Sequence, residues 1–214
     1  MKYTSTIAVL FAASASAFAP ARIERMNTAL SAGTFEDVNS LPGVLEPTGL
    51  FDPLGFSEKA NEATLKRYRE AEVTHGRVAM LATIGFLVGE KVEGSSFLFD
   101  ASIKGPAITH LSQVPDGFWA LLIIFIGAAE AQRAQSGWVP PEDVPEGQQG
   151  LLKADYYPGD IGFDPLNLKP ADEEEFKIMA TKELQHGRLS MLAVAGFVAQ
   201  EATDGKGIIE HFTS

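Results

Sequence analysis

The sequence predicts an all-α membrane protein with three transmembrane helices, the first and third crossed and related by pseudo-two-fold symmetry. Three observations carry that reading. Uncharged apolar runs occupy Val78–Gly89, Gly117–Ala129 and Leu189–Gln200. The first and third runs each follow the same charged motif, "EVTHGR" at Glu72–Arg77 and "ELQHGR" at Glu183–Arg188. Basic residues gather on one side of the three runs: eleven Lys or Arg, from Lys59 to Arg77 and from Arg133 to Arg188, against Lys91, Lys104 and Lys206 on the other. That asymmetry matches the positive-inside rule.

The segments in front of the first helix read as addresses. Lys2, the apolar stretch Ile7–Ala13 and the small residues "ASA" form a signal peptide over 1–17. Residues 18–31 set Arg22 and Arg25 against a single acid, Glu24, among hydroxyl side chains, as in a plastid transit peptide. Residues 32–214 remain as one domain. The chain of 214 residues has no cysteine and a formal charge of −11, which excludes disulfides and thiolate metal sites and argues against nucleic acid as a partner.

Each apolar run is only 12 or 13 residues long, short of the roughly 20 of a spanning helix. Extended backward through their motifs, the first and third become helices over 62–91 and 173–202, with a middle helix over 115–135. The repeat reaches further: "FDPLGF" at Phe51–Phe56 leads in one copy and "FDPLNL" at Phe163–Leu168 the other, while "FLVGE" and "FVAQE" close them at Glu90 and Glu201. Such a duplication implies two similar helices, each with a similar lead-in loop. Gly85 and Gly89 read as positions of close helix packing.

Ionisable groups at the mouth of a membrane helix are costly and need partners. Glu72 and His75 share a helical face, but Arg77 is five residues from Glu72, a turn of about 140°. The arginine therefore points away from its own glutamate. If the helices cross, Glu72 pairs with Arg188 and Glu183 with Arg77, which removes the net charge. One oxygen of each glutamate then stays open to a hard cation, His75 and His186 offer neutral nitrogens, and Gly76 and Gly187 leave room for something flat. An Mg²⁺ held by four ring nitrogens and needing one axial ligand fits that set. A di-iron carboxylate enzyme shares the E-x-x-H spacing but needs four helices and two further glutamates. Only three helices and Glu130 are available here, so the chain reads as no enzyme.

The doubled "ExxHGR", the paired FDPL loops and "GAAEAQR" in the middle run resemble the light-harvesting chlorophyll-binding superfamily over about 40–211. With the bipartite leader, the chain looks like the fucoxanthin–chlorophyll a/c proteins. The stretch Thr74–Pro115 is similar to their stress-related, Lhcx-type branch. The resemblance implies the chlorophyll a/b-binding protein fold, with Glu72, His75, Glu130, Glu183, His186 and Gln200 as axial chlorophyll ligands. Arg77 and Arg188 would be cross-helix locks, Arg133 the counter-ion of Glu130, and the FDPL loops cradles for xanthophyll ends. His186 stands where many relatives carry asparagine, Leu122 replaces a ligand glutamine, and His211 departs from the family spacing. The implied cofactors are chlorophyll a, chlorophyll c, fucoxanthin and diadinoxanthin/diatoxanthin. The implied partners are the plastid thylakoid membrane, photosystem supercomplexes and other light-harvesting proteins.

The branch implies photoprotective dissipation of excitation energy; an ordinary antenna that passes energy to a photosystem carries the same ligand motifs. The topology would put Asp100 and Glu210 in the lumen, behind the apolar stretches "FLFD" and "GIIE". A carboxylate against apolar surface has its charged form disfavoured, so both residues are expected to sense lumenal acidification.

Overall fold

The computed structural model describes residues 41–95, 102–144 and 150–213; the leader segments 1–17 and 18–31, and Asp100, lie outside the described residues. The described chain is helical. Helix α1 runs Glu62–Val92, α2 Ala107–Gln113, α3 Asp116–Gly137, α4 Glu173–Asp204 and α5 Ile208–Thr213, with a 3₁₀ turn at Pro141–Asp143. The three long helices stand where the apolar runs and their motifs place them, each ending one or two residues later than expected. The two short ones, α2 and α5, were not anticipated.

Local chemistry explains the boundaries. The Asn61 side chain accepts the Thr64 N–H at 2.9 Å to start α1, and Asp172 accepts from Glu174 and Glu175 to start α4, the usual N-cap arrangement. Glu173, Glu174 and Glu175 fill the first turn of α4, where negative charge meets the positive end of the helix dipole. Gly205 ends α4 in the left-handed region, at φ 65°, a conformation glycine adopts without strain.

Helices α1 and α4 cross at Gly76 and Gly187. A Cβ on Gly76 would lie 3.0 Å from Gly187 Cα, and one on Gly187 would lie 2.9 Å from Gly76 Cα. The two backbones thus fill the space that the sequence reading reserved for a flat pigment. Equivalent positions in the two copies differ by 111 residues, and such pairs meet across the crossing: the Phe86 and Phe197 rings sit 5.9 Å apart. Gly85 has nothing within 4 Å, whereas a Cβ on Gly89 would meet His110 at 3.4 Å. The expected close packing therefore holds at Gly89, against α2, and not at Gly85, which faces outward.

The far ends are tied reciprocally. Glu90, at the end of α1, accepts the Ile208 and Ile209 N–H groups of α5, both at 2.8 Å. Glu201, its repeat partner in α4, is buried and accepts the Ile108 N–H of α2 at 2.8 Å. Each long helix caps the short helix that follows the other in the chain.

Two features depart from a water-soluble bundle. Apolar side chains cover the outer faces; Leu81 is 72% and its repeat partner Leu192 74% exposed. Helix α3 also stands apart, with no close Cα approach to any other helix among the described residues. Among the described residues, α3 is the one helix apolar and long enough to cross a membrane by length and composition. Helices α1 and α4 have 31 and 32 residues but carry the motif charges. Gly76→Ala is expected to weaken the crossing by about 1–3 kcal/mol, seen as a lower midpoint in thermal unfolding followed by circular dichroism. Gly85→Ala should leave that midpoint unchanged or raise it.

Candidate functional site

The crossing point carries the charged motifs. Arg77 Nε donates to Glu183 Oε1 at 2.6 Å and Arg188 Nε to Glu72 Oε1 at 2.8 Å. Both reciprocal pairs that the repeat implies are therefore formed in the structure. Each arginine uses its second arm on a loop: Arg77 Nη1 donates to the Gly159 carbonyl at 2.7 Å, and Arg188 Nη1 to that of Gly43 at 2.6 Å. The guanidinium fork suits this double task. The N–H groups of the same two glycines return to the helices, Gly159 to Glu70 Oε2 at 2.7 Å and Gly43 to Thr181 Oγ1 at 3.2 Å.

Each loop is thus clamped at the N–H and the carbonyl of one glycine by two residues seven apart on a single helix, about two turns. The glycines are obligatory. Gly43 and Gly159 have φ of +90° and +85°, and a Cβ on Gly159 would come within 2.7 Å of Val73 Cγ1. The dipeptides Pro42-Gly43 and Pro158-Gly159, ahead of each FDPL, were the signal for these clamps that the sequence reading passed over. Downstream, the Asp52 carboxylate accepts from Phe56 N, Ser57 N and Ser57 Oγ, and Asp164 from Leu168 N and Lys169 N. The Ser57 hydroxyl above all holds the Asp52 carboxyl below its ordinary range, and the Lys169 N–H does the same for Asp164.

The two halves differ in one respect that the repeat conceals. Glu72 Oε2 takes a second arginine, Arg69 Nη1, at 2.9 Å, whereas residue 180, the repeat partner of Arg69, is alanine. The expectation of one open oxygen on each glutamate is corrected for Glu72, both of whose oxygens are engaged. Among the described residues Glu183 pairs with Arg77 alone. A cavity of about 480 Å³ opens beside the Glu72 half, lined by Gly43, Leu50, Phe51, Arg69, Gln185 and Met191 among others.

His75 and His186 lie on the exposed outer faces, each with Nδ1 2.7 Å from the carbonyl one turn back, that of Ala71 or Lys182. A carbonyl can only accept, so Nδ1 carries the proton and Nε2 keeps its lone pair. Metal-binding imidazoles are commonly oriented by such a bond on the other ring nitrogen. The residues present therefore fit an axially ligated Mg²⁺ in an apolar macrocycle.

The middle helix adds Glu130, which accepts from Arg133 Nη1 with both oxygens, at 3.0 and 2.8 Å. The same arginine donates through Nε to Glu70 Oε1 at 3.0 Å. Glu70, absent from the sequence reading, is only 1% exposed; its Oε2 also accepts from the Tyr156 hydroxyl at 3.0 Å. Burial, reinforced by the Glu70 carboxylate, pushes the Tyr156 phenol well above its ordinary range, so it stays a hydrogen-bond donor. The Gln200 side-chain nitrogen donates to the Asp204 carboxylate and meets His211 Nδ1 at 3.3 Å, while His211 Nδ1 is 2.9 Å from Asp204 Oδ2. His211 is thus engaged with neighbouring side chains. Glu210 is exposed on α5, where Ile208 is the buried residue.

With this geometry in view, the comparisons with known proteins define the class. Residues 37–202 match the family described as chlorophyll A-B binding protein. The chain is 50% identical over 180 residues to light-harvesting complex stress-related protein 3.2 of Chlamydomonas reinhardtii, covering 83% of this chain and 68% of that one. It is 48% identical over 165 residues to a fucoxanthin-chlorophyll a-c binding protein of Isochrysis galbana, covering 77% of each. A fucoxanthin-chlorophyll a-c binding protein of Chattonella marina var. antiqua is 34% identical over 216 residues. The chain belongs to the chlorophyll a-b binding family, a family of pigment-binding light-harvesting proteins and not of enzymes.

The asymmetry around Glu72 has a measurable consequence. Arg77→Leu strips Glu183 of its one cation, whereas Arg188→Leu leaves Glu72 with Arg69. The pairs are over a third exposed at Arg77 and Glu183, so the cost of Arg77→Leu is set at about 1–3 kcal/mol, below the fully buried case. Arg188→Leu should cost less. A double-mutant cycle of Arg77→Leu with Glu183→Gln, read by thermal unfolding, is expected to return a favourable coupling between the two residues; zero coupling would show that the pair holds nothing together.

Proposed function

We propose that this chain is a thylakoid antenna protein that binds chlorophylls and xanthophylls and dissipates excess excitation energy. The observation that carries the reading is the pair of outward-facing histidines on either side of the crossed helices, each with its proton fixed on Nδ1 and its Nε2 presented to an apolar exterior. Glu183, Glu130 and Gln200 join His75 and His186 as the residues that would hold chlorophyll Mg. Glu72 serves there only by sharing oxygens already taken by two arginines. When bound, the pigments supply visible absorption and excitation transfer; the protein supplies spacing, orientation and local polarity.

Three spans follow from the same reading. Helices α1 and α4 are about 46 Å long at 1.5 Å per residue, more than the roughly 30 Å hydrocarbon core, and the crossed pairs offset their motif charges. Bound pigments would line the apolar outer faces and the space between α3 and the crossed pair. Chlorophyll a, chlorophyll c and fucoxanthin are the pigments that the names of the fucoxanthin relatives support. Diadinoxanthin/diatoxanthin, and docking to photosystem supercomplexes, rest on the family resemblance.

Dissipation is supported by the stress-related relatives, and energy delivery by the fucoxanthin-named ones. Fluorescence lifetimes of the pigment-loaded protein decide between them: shortening at acidic pH is expected, and lifetimes unchanged between neutral and acidic pH would favour a delivering antenna. His75→Ala should release one chlorophyll per chain with helix content unchanged, measured by pigment extraction and circular dichroism; His186→Asn should retain its pigment. The proposed proton sensing by Asp100 and Glu210 predicts that the double variant Asp100→Asn, Glu210→Gln loses acid-induced quenching at matched pigment content. Wild-type pH dependence in that variant removes both residues from the role.

A further inference from the structure

The geometry points to Glu70 as the positioning residue of the Glu130 pigment site, acting through Arg133. This inference rests on the proposed ligand role of Glu130 and names a residue that the doubled motif does not contain. The repeat partner of Glu70 is Thr181. Thr181 receives the Gly43 N–H with a hydroxyl, which shows that clamping the loop requires no charge. Glu70 performs the same task for Gly159 and is nonetheless a carboxylate, 1% exposed. Burying a carboxylate is costly unless it is paired, so the charge needs a reason beyond the loop.

Arg133 is that reason. Helix α3 has no close Cα approach to another helix among the described residues, so packing against another helix does not fix its rotation; its contact with the following loop is at its end, where Gly137 meets the Tyr156 ring. Arg133 spans the gap, with Nε 3.0 Å from Glu70 Oε1 and Nη1 on both Glu130 oxygens. One planar fork thus joins a buried carboxylate on α1 to an exposed one on α3. Because the guanidinium is rigid, the buried partner sets the direction in which the exposed partner is held. The chain of bonds continues through Glu70 to the Gly159 N–H, from the Gly159 carbonyl to Arg77, and from Arg77 to Glu183. Glu70 therefore references a ligand of the middle helix to a ligand of the crossed pair, and with it the spacing of the pigments they hold.

The test uses the full chain loaded with pigment. Glu130→Gln first identifies the absorption and circular-dichroism band that depends on that ligand. Glu70→Gln, which keeps an acceptor for Gly159 but no charge for Arg133, should selectively lower that band relative to the others. Glu70→Asp should restore part of it. Where Glu70→Gln fails to assemble, Arg133→Lys is read instead: an ammonium serves as a point charge and not as a fork, so the same band should fall. An unchanged band ratio in the variant read overturns the inference, including when all bands fall together.

If Glu130→Gln loses no band, the ligand assignment fails and the positioning role is decided by distance alone. The chain has no cysteine, so spin labels at Tyr68→Cys and Gln132→Cys, both exposed positions on α1 and α3, report their separation. A broadened distance distribution in Glu70→Gln supports the role of Glu70, and an unchanged one overturns it.

Discussion

Everything in this molecule is referenced to one contact, the approach of Gly76 to Gly187. Backbones that close bring the guanidinium on each helix within reach of the carboxylate on the other. They also bring the peptide of each Pro-Gly loop within reach of the same guanidinium. A side chain as small as a methyl at either glycine would push the helices apart and lengthen both ion pairs together. The electrostatics depend on the sterics, because a fork that bonds through two arms tolerates little displacement.

Around that contact the chain uses two copies of one solution and then departs from it. The clamps on Gly43 and Gly159, the aspartate turns of the FDPL loops and the glutamates at the far ends are matched pairs. The departures fall on α1: Arg69 beside Glu72, and Glu70 where the other copy has Thr181. Both add charge to the same helix. Glu70 reaches the fork from α3, so the copy that must also hold the middle helix is the copy with the extra carboxylate. A pseudo-symmetric scaffold thereby receives a third helix on one side only.

The duplication was legible because motif identity and constant spacing do not depend on knowing the fold. The reciprocal pairing followed from helix geometry, since Arg77 cannot face Glu72 on one helix. Three things were not legible. The role of Gly76 was misassigned because a glycine in a helix signals close approach without saying by what. The second arginine on Glu72 was hidden because Arg69 has no counterpart in the other copy, where residue 180 is alanine. Glu70 was missed because its partners, Arg133, Tyr156 and Gly159, are 63 to 89 residues away, and no periodicity connects them. Glu210 shows the converse: apolar neighbours in sequence do not bury a helical side chain, since adjacent residues point in different directions.

The isolation of α3 bears on how the protein comes to exist at all. Among the described residues, the middle helix is held to the rest of the chain by Arg133 and by its end at Gly137, and not by packing along another helix. In the proposed antenna, bound pigments would fill the space beside it and set its final position. Synthesis without those pigments leaves α3 tethered by a few side chains and two connecting segments, a state open to proteases.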